Sequence, residues 1–202
     1  MRISLGNLLV ISVFTLSFVG CSSYDRRLTD SSTQYLGANG AVITKPSQAV
    51  DNVSYWDGEG VGGSPNIVIN LTEQKAYFYK GGKLVGISAV STGREGFQTP
   101  AGSFKIIQKD RNHASSLYGD YADAAGNVLV RNVDVTKDPK PPGAIFVGAP
   151  MPYFMRVHNG VGMHQGFLPG VADSHGCIRM PQKMADAFWN NAPQGTPVRI
   201  TY

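Results

Sequence analysis

From residue 66 onwards, short apolar segments of strand length alternate with turn residues, and no other feature constrains the fold as strongly. Residues 67–71 and 74–79 flank a short polar turn, and Gly81 and Gly82 then lead into residues 83–90. Strand-like segments joined by adjacent glycines are typical of a β-hairpin, because glycine adopts the positive φ angles that tight turns need. The ordered part of the chain is therefore predicted to begin with paired antiparallel strands.

The same pattern continues to the end of the chain. Residues 99–102 are predicted to form a turn, and residues 115–121 and 124–127 are interpreted as an excursion that ends in a turn. Further strands are predicted at residues 103–108, 128–135, 144–148 and 198–202.

One segment has helical rather than strand periodicity. In residues 181–191, Met184, Ala187 and Phe188 fall on one face of a helix, and Pro181 suits its first turn. The 24 glycines and 12 prolines of the 202-residue chain favour turns over a helix bundle. The sequence thus predicts a mainly β fold, an antiparallel β-sandwich or open barrel with one helix.

Reactive side chains are concentrated in two Gly-rich segments, residues 162–166 and 173–180. His164 lies in the first segment, and His175 and Cys177 lie in the second. A thiol becomes a nucleophile when a nearby base favours its thiolate, so these three side chains form a candidate catalytic centre. The alternative is a small buried cysteine near two histidines that only satisfy hydrogen bonds.

Neighbouring residues supply further groups that acyl-transfer chemistry needs. Gly176 permits a sharp turn just before the thiol, and the N–H groups of His175, Gly176 and Cys177 can then converge on a developing oxyanion. Arg179 adds a permanent cation suited to a carboxylate or to loop carbonyls. From the residues alone, either His164 or His175 could be the base.

The run from Ser174 to Arg179, with His164 upstream, resembles the signature of the YkuD-type L,D-transpeptidases. The resemblance extends from about residue 65 to residue 202. Residues 151–156, 160–164 and 167–170 are similar to the flanks found in a Gram-negative branch of that family. Two features depart from the family: Gln165 follows the upstream histidine, and the interval from His164 to Ser174 is short.

The resemblance implies a peptidoglycan L,D-transpeptidase that works through an acyl-cysteine on stem peptides, releases terminal D-Ala and forms 3–3 cross-links. It implies Cys177 as the nucleophile and His164 as the base. Ser174, Arg179 and Tyr153 would hold the catalytic loop or the acidic stem, with Arg156 as a further candidate. L,D-carboxypeptidase activity and attachment of an envelope lipoprotein to peptidoglycan are alternatives, because they differ only in the acyl acceptor.

Tyrosines elsewhere are candidates to line a groove. Tyr118, Tyr121 and Tyr153 could do so, although tyrosines in β proteins are more often half-buried packing residues.

The N-terminus resembles an exported lipoprotein signal. Residues 1–20 contain Arg2 followed by an apolar stretch, and small residues precede Cys21 as in a bacterial lipobox. Lipidation of Cys21 is expected, although Phe18 departs from the usual residue and leaves ordinary signal cleavage open. Residues 21–64 are predicted to form a lipidated N-terminus and flexible tether before a catalytic domain at residues 65–202, although Tyr55 and Trp56 could instead dock on that domain.

The totals restrict the other classes. The two cysteines are too few for a disulfide framework. The net charge is +4, and the sequence has no run of basic residues typical of nucleic-acid binding. A zinc site formed by Cys177, His175 and His164 matches no usual ligand spacing. A silent wall-binding module is the non-enzyme alternative. We expect a monomer without metal or cofactor, on the periplasmic face of the cell envelope and at the outer membrane if the cell is Gram-negative.

Overall fold

The computed structural model describes residues 51–202, which form three β-sheets and one helix. The strands are β1 (Tyr55–Trp56), β2 (Pro65–Asn70), β3 (Lys75–Lys80), β4 (Lys83–Ala89), β5 (Gly102–Lys105), β6 (Gln108–Asp110), β7 (Ala114–Ala122), β8 (Val128–Asp134), β9 (Ile145–Pro150), β10 (Phe154–His158), β11 (Val161–Gln165), β12 (Ile178–Met180) and β13 (Pro197–Thr201), and the helix is α1 (Gln182–Asn191). The predicted fold class, mainly β with packed sheets and one helix after the candidate loop, is confirmed.

The strands form a large, a central and a small sheet. The large sheet has the order β1-β4-β3-β2-β13-β5, the central sheet β12-β11-β10-β6, and the small sheet β8-β7-β9. Pairing is antiparallel except where β13 runs parallel to β2 and β12 runs parallel to β11. The second parallel pair is decisive for the site, because it places the two Gly-rich segments side by side.

The main core lies between the large sheet, the central sheet and α1. Its aromatic centre is Phe78 of β3 against Phe188 of α1, with ring centroids 4.9 Å apart. Trp56 of β1 packs edge-on against Phe78 at 5.1 Å. Tyr55 and Trp56 are therefore docked on the domain rather than part of a free tether. Packing of the Trp56 ring explains why a strand of only two residues stays paired with β4.

The predicted strand at residues 103–108 is divided between two sheets. The Ile106 N–H donates to the Thr196 carbonyl, beside β13, and the Ile107 N–H donates to the Arg156 carbonyl, in β10. The chain thus crosses from the large to the central sheet at this point, and one periodic segment becomes β5 and β6. The predicted excursion at residues 115–121 is the nine-residue β7, the middle strand of the small sheet.

The predicted signal at residues 1–20 and the lipidation site Cys21 lie outside the described residues. Within residues 51–202, no helix is both long and apolar enough to cross a bilayer.

Candidate active site

Strand pairing brings the two Gly-rich segments together at a cleft of about 640 Å³. In the parallel pair of β11 and β12, His164 lies opposite Arg179, and Cys177 comes directly before β12. Cys177, His164, His175, Ser174, Arg179 and Tyr153 all line the cleft. The predicted site residues thus meet in one place, with Gly176 in the loop between two of them.

His164 is buried, with 6% of its surface exposed, and one ring nitrogen is already used. Its Nδ1 lies 2.7 Å from the carbonyl oxygen of Gln165, and because a carbonyl only accepts, Nδ1 carries the proton. Burial lowers the pKa of His164 to about 4, against the weaker opposing effect of the Gln165 bond. At neutral pH the ring is therefore uncharged, with Nε2 as a proton acceptor.

Cys177 is a free, partly buried thiol. Its Sγ lies 3.6 Å from the carbonyl oxygen of Gly160, to which the thiol donates. Burial raises the pKa of Cys177, while the Gly162 N–H and the Arg156 cation act in the opposite direction. Formation of the thiolate therefore needs a base.

The turn that presents the thiol is held by Ser174. The Ser174 hydroxyl donates to the Cys177 carbonyl at 2.5 Å and accepts the Gly176 N–H at 3.0 Å. Gly176 has a φ of +113°, which a residue with a side chain rarely adopts. Because its N–H is used in the turn, Gly176 shapes the loop but is not free as the predicted oxyanion donor. Among the described residues, the N–H of Cys177 has no acceptor.

A second segment, residues 91–99, supports this turn from behind. Thr99 donates to the Gly176 carbonyl at 2.7 Å and accepts the Gly93 N–H at 2.9 Å. The Ser174 N–H donates to the Thr92 carbonyl at 2.9 Å. Sequence reasoning missed this support: residues 99–102 were predicted only as a turn, and no local signal indicates a partner 77 positions away.

His175 and two of the candidate tyrosines form walls of the cleft. The ring of Tyr118 stacks on His175 with centroids 4.1 Å apart. Burial, and then the nearby Arg94 cation, lower the pKa of His175 to about 4. Tyr153, with a φ of +59°, lies under the guanidinium of Arg111 at 4.9 Å. Tyr121 lies instead in the small sheet's own core and is not part of the cleft wall.

Cations dominate the charges of the cleft wall. Arg111, Arg156 and Arg179 line it, and the lining residues within the described chain include no Asp or Glu. Burial lowers the pKa of Arg179 to about 10, so the guanidinium keeps its charge at neutral pH, 3.4 Å from the carboxylate of Asp173. The site can thus bind an acidic ligand next to a thiol and a neutral imidazole.

No group of three His, Cys, Asp or Glu side chains in residues 51–202 is arranged to hold a metal ion.

Solved structures of L,D-transpeptidases share this fold. The L,D-transpeptidase from Mycobacterium smegmatis has a TM-score of 0.52 at 18% identity, over 70% of this chain and 60% of that one. L,D-transpeptidase 3 from Mycobacterium tuberculosis, in complex with a faropenem-derived adduct, has a TM-score of 0.51 at 19% identity, over 70% and 61%. A cysteine-to-serine mutant of the Enterococcus faecium L,D-transpeptidase has a TM-score of 0.50 at 23% identity, over 69% and 50%.

The chain therefore spans less than two thirds of the length of each of these proteins. Curated proteins include no sequence that matches this chain at a significant level. The family model for YkuD, the L,D-transpeptidase catalytic domain, matches residues 64–200, which is most of the chain. The chain belongs to the YkuD family of L,D-transpeptidase catalytic domains.

Proposed function

We propose that this protein is a peptidoglycan L,D-transpeptidase that uses Cys177 as its nucleophile and His164 as its base. The observation that carries the proposal is the open Nε2 of His164. The Gln165 carbonyl fixes the proton on Nδ1, and both His164 and the Cys177 thiol face one cleft. A neutral proton acceptor and a protonated thiol in the same cleft are the two groups that general-base activation needs.

In the first half-reaction, Nε2 of His164 takes the proton from Sγ of Cys177. The thiolate then attacks the carbonyl carbon that precedes the terminal D-residue of a stem peptide, and a C–S bond forms. The tetrahedral intermediate collapses with cleavage of the C–N bond, and the departing D-Ala amine takes the proton back from His164. The product is a thioester on Cys177, with every proton accounted for.

In the second half-reaction, a side-chain amine of another stem attacks the thioester and loses its proton to His164. The C–S bond breaks, the released thiolate takes the proton back from His164, and a 3–3 cross-link results. The Cys177 N–H is the donor best placed to stabilise the oxyanion in both steps, because it has no competing acceptor within the described residues. His175 lies beside it on the cleft wall.

The charges of the cleft support a stem peptide as substrate. Stem peptides carry carboxylates, and the guanidinium groups of Arg111 and Arg156 can pair with them, while Arg179, held by Asp173, adds positive charge to the wall. Arg156 is already oriented by Gln108, which accepts from Nε at 2.7 Å. Ser174 and Tyr153 contribute by holding the loop and the wall rather than by reacting.

Intact-mass spectrometry of the folded protein tests the nucleophile. With a stem tetrapeptide or a carbapenem, the wild type should gain one acyl adduct, and Cys177→Ala should gain none. Cys177→Ser is the matched control, because it keeps the size of the side chain and should also remain unmodified under the same conditions. A folded wild type that forms no adduct would show the proposal to be wrong.

A second variant tests the base. His164→Gln retains an amide that can donate to the Gln165 carbonyl but removes the proton acceptor, and it should slow acylation by roughly 10²-fold or more. An unchanged rate would remove His164 from the mechanism and leave His175 as the remaining imidazole of the pair.

The acyl acceptor decides the biological product. Water would give an L,D-carboxypeptidase, and a protein lysine would give attachment of an envelope lipoprotein. Mass analysis of fragments from sacculi treated with the pure enzyme separates these outcomes, and 3–3 linked dimers are expected.

We also propose the remaining context from the sequence. A monomeric catalytic domain at residues 65–202, on which β1 is docked, follows a tether that begins at residue 22 and ends before β1, and a lipid on Cys21, in the envelope of a Gram-negative cell. Labelling with a radioactive fatty acid should mark the wild type and not Cys21→Ala; equal labelling of both would reject the anchor. Size-exclusion chromatography with light scattering tests the monomer.

A further inference from the structure

Arg94 reaches His175 from outside the cleft. Its own N–H donates to the Ser174 carbonyl at 3.0 Å, which anchors the backbone of residues 91–99 to the catalytic loop. Its side chain places Nη2 at 2.9 Å from Nε2 of His175. Arg94 is not one of the residues that line the cleft, whereas His175 is.

This contact determines the tautomer of His175. A guanidinium has only donors, so Nε2 of His175 must be the acceptor and cannot carry a proton while the bond exists. The neutral ring then carries its proton on Nδ1. Among the described residues, Nδ1 has no hydrogen-bond partner, so it is the ring nitrogen left for a bound ligand.

Aromatic contacts hold both partners in this arrangement. The His175 ring is stacked on Tyr118 at 4.1 Å and meets the ring of Phe97 edge-on at 4.8 Å. The Arg94 guanidinium lies 4.5 Å from the centroid of the same Phe97 ring, so Phe97 contacts both partners of the hydrogen bond. The hydrogen bond is therefore supported by packing on both of its sides.

We propose that Arg94 is a positioning residue that holds His175 as the Nδ1–H tautomer, so that His175 donates a hydrogen bond to the bound peptide and cannot accept the Cys177 proton at Nε2. The peptide as ligand rests on the proposed function, but the tautomer does not. The two histidines then have opposite roles: His164 has its free acceptor at Nε2, and His175 has its free donor at Nδ1.

Other charged groups also act on His175. Lys137 lies with its Nζ 5.7 Å from the centroid of Phe97, and like Arg94 it disfavours protonation of the ring, while Asp134 favours it. Within residues 51–202, Tyr118 is the remaining titratable group in contact with the ring. Lys137 thus provides a matched control, because it contributes positive charge without a hydrogen bond to His175.

Nitrogen-15 NMR of the imidazole rings tests the tautomer without any need for activity. The full chain has four histidines, and His175→Gln assigns the signals of His175. At pH 7 the wild type should show a protonated Nδ1 and an unprotonated Nε2. Arg94→Met should give a mixture of tautomers and a ring that titrates nearer pH 6.5, while Lys137→Met should keep the wild-type tautomer.

Several outcomes would overturn the proposal. A wild-type His175 with its proton on Nε2 would do so even if Arg94→Met did not fold. An unchanged tautomer in a folded Arg94→Met would do so as well, as would an equal change in Lys137→Met. Arg94→Lys, which retains one donor and the charge, should restore most of the wild-type spectrum.

Acylation kinetics test the consequence for the reaction. Arg94→Met should slow acylation about tenfold at pH 7, with a further loss as the pH is lowered and His175 becomes charged at a higher pH than in the wild type, and Arg94→Lys should recover part of the rate. If the wild-type tautomer is as expected but Cys177 forms no adduct, the proposed function fails and the tautomer assignment stands. If acylation is normal and Arg94→Met has the wild-type pH profile, the positioning role is wrong.

Discussion

Two histidines 11 positions apart differ in function because each ring uses a different nitrogen in the fold. His164 donates from Nδ1 to the Gln165 carbonyl, whereas His175 accepts at Nε2 from Arg94. Both rings are neutral at pH 7, so charge does not distinguish them. Hydrogen-bond direction does, and it makes His164 the better candidate for the base.

Burial of His164 makes folding stability depend on pH. The folded pKa of about 4 lies below the usual histidine value of 6.5, so between these values the unfolded chain binds more protons than the folded one. The contribution of neutral His164 to the free energy of unfolding is therefore fully present above about pH 6.5, and it is lost as the pH is lowered towards 4. His164 contributes on the order of 3 kcal/mol to the free energy of unfolding at neutral pH.

Urea denaturation at pH 7 and at pH 4.5 measures this dependence. His164→Gln should lose less stability between the two values than the wild type does. His158→Gln is the control, because His158 is exposed, and it should lose as much as the wild type. Identical losses in all three proteins would mean that His164 is not buried as a neutral ring.

At the scale of single residues, the sequence predicted the groups in the two Gly-rich segments but not those that orient them. Cys177, His164, His175 and Arg179 were found because they lie within 16 positions of one another in a recognisable pattern. Arg94 belongs to the site only through tertiary contacts, and a single arginine in a loop carries no local signal of its partner.

At the scale of elements, periodicity predicted the segments that have one buried face. Strands β2, β3 and β4 and helix α1 were predicted within one or two residues of their bounds. Strands β10, β11 and β12 were not predicted, because most of their residues are buried and so do not alternate between apolar and polar. Strand β11 is buried at four of its five positions, and β12 at all three. These unpredicted strands are the ones that carry His164 and align it with the thiol loop.

Strand β1 provides a test of what holds an element of two residues. Trp56→Ala should lower the free energy of unfolding by about 2–3 kcal/mol, because the ring packs against Phe78 and Phe188. Tyr55→Ala, next to it and 42% exposed, should cost less than about 0.5 kcal/mol. Urea denaturation curves give both values. Equal effects would mean that pairing with β4, rather than burial of the indole ring, holds β1.

At the scale of the whole molecule, the candidate site lies where separate parts of the chain meet. The central sheet contributes His164, the loop before β12 contributes Cys177, and the small sheet contributes Tyr118 to the same cleft. The large sheet does not line the cleft, but residues 91–99, which follow its strand β4, support the thiol loop. Access to the thiol therefore depends on how firmly the small sheet is held against the rest.

The small sheet has far less apolar support than the main body. Its own core consists of Tyr121, Val133 and Ala144, whereas 18 buried residues form the main core. Ile145 and Val147 of β9 remain 49% and 50% exposed. Because opening free energy follows the apolar area that is buried, we expect the small sheet to open without unfolding the main body.

Amide hydrogen exchange resolves the two units. Residues 114–150 should exchange faster than β2, β3 and β13, since they open at lower free energy than the global transition. Val133→Ala should accelerate exchange in the small sheet alone, while Val198→Ala, in the main core, should accelerate both, because global unfolding exposes the small sheet too. If both variants raised exchange everywhere by the same factor, the sheets would form one cooperative unit. Separate opening would instead make the small sheet the part of the fold that controls entry of a peptide to Cys177.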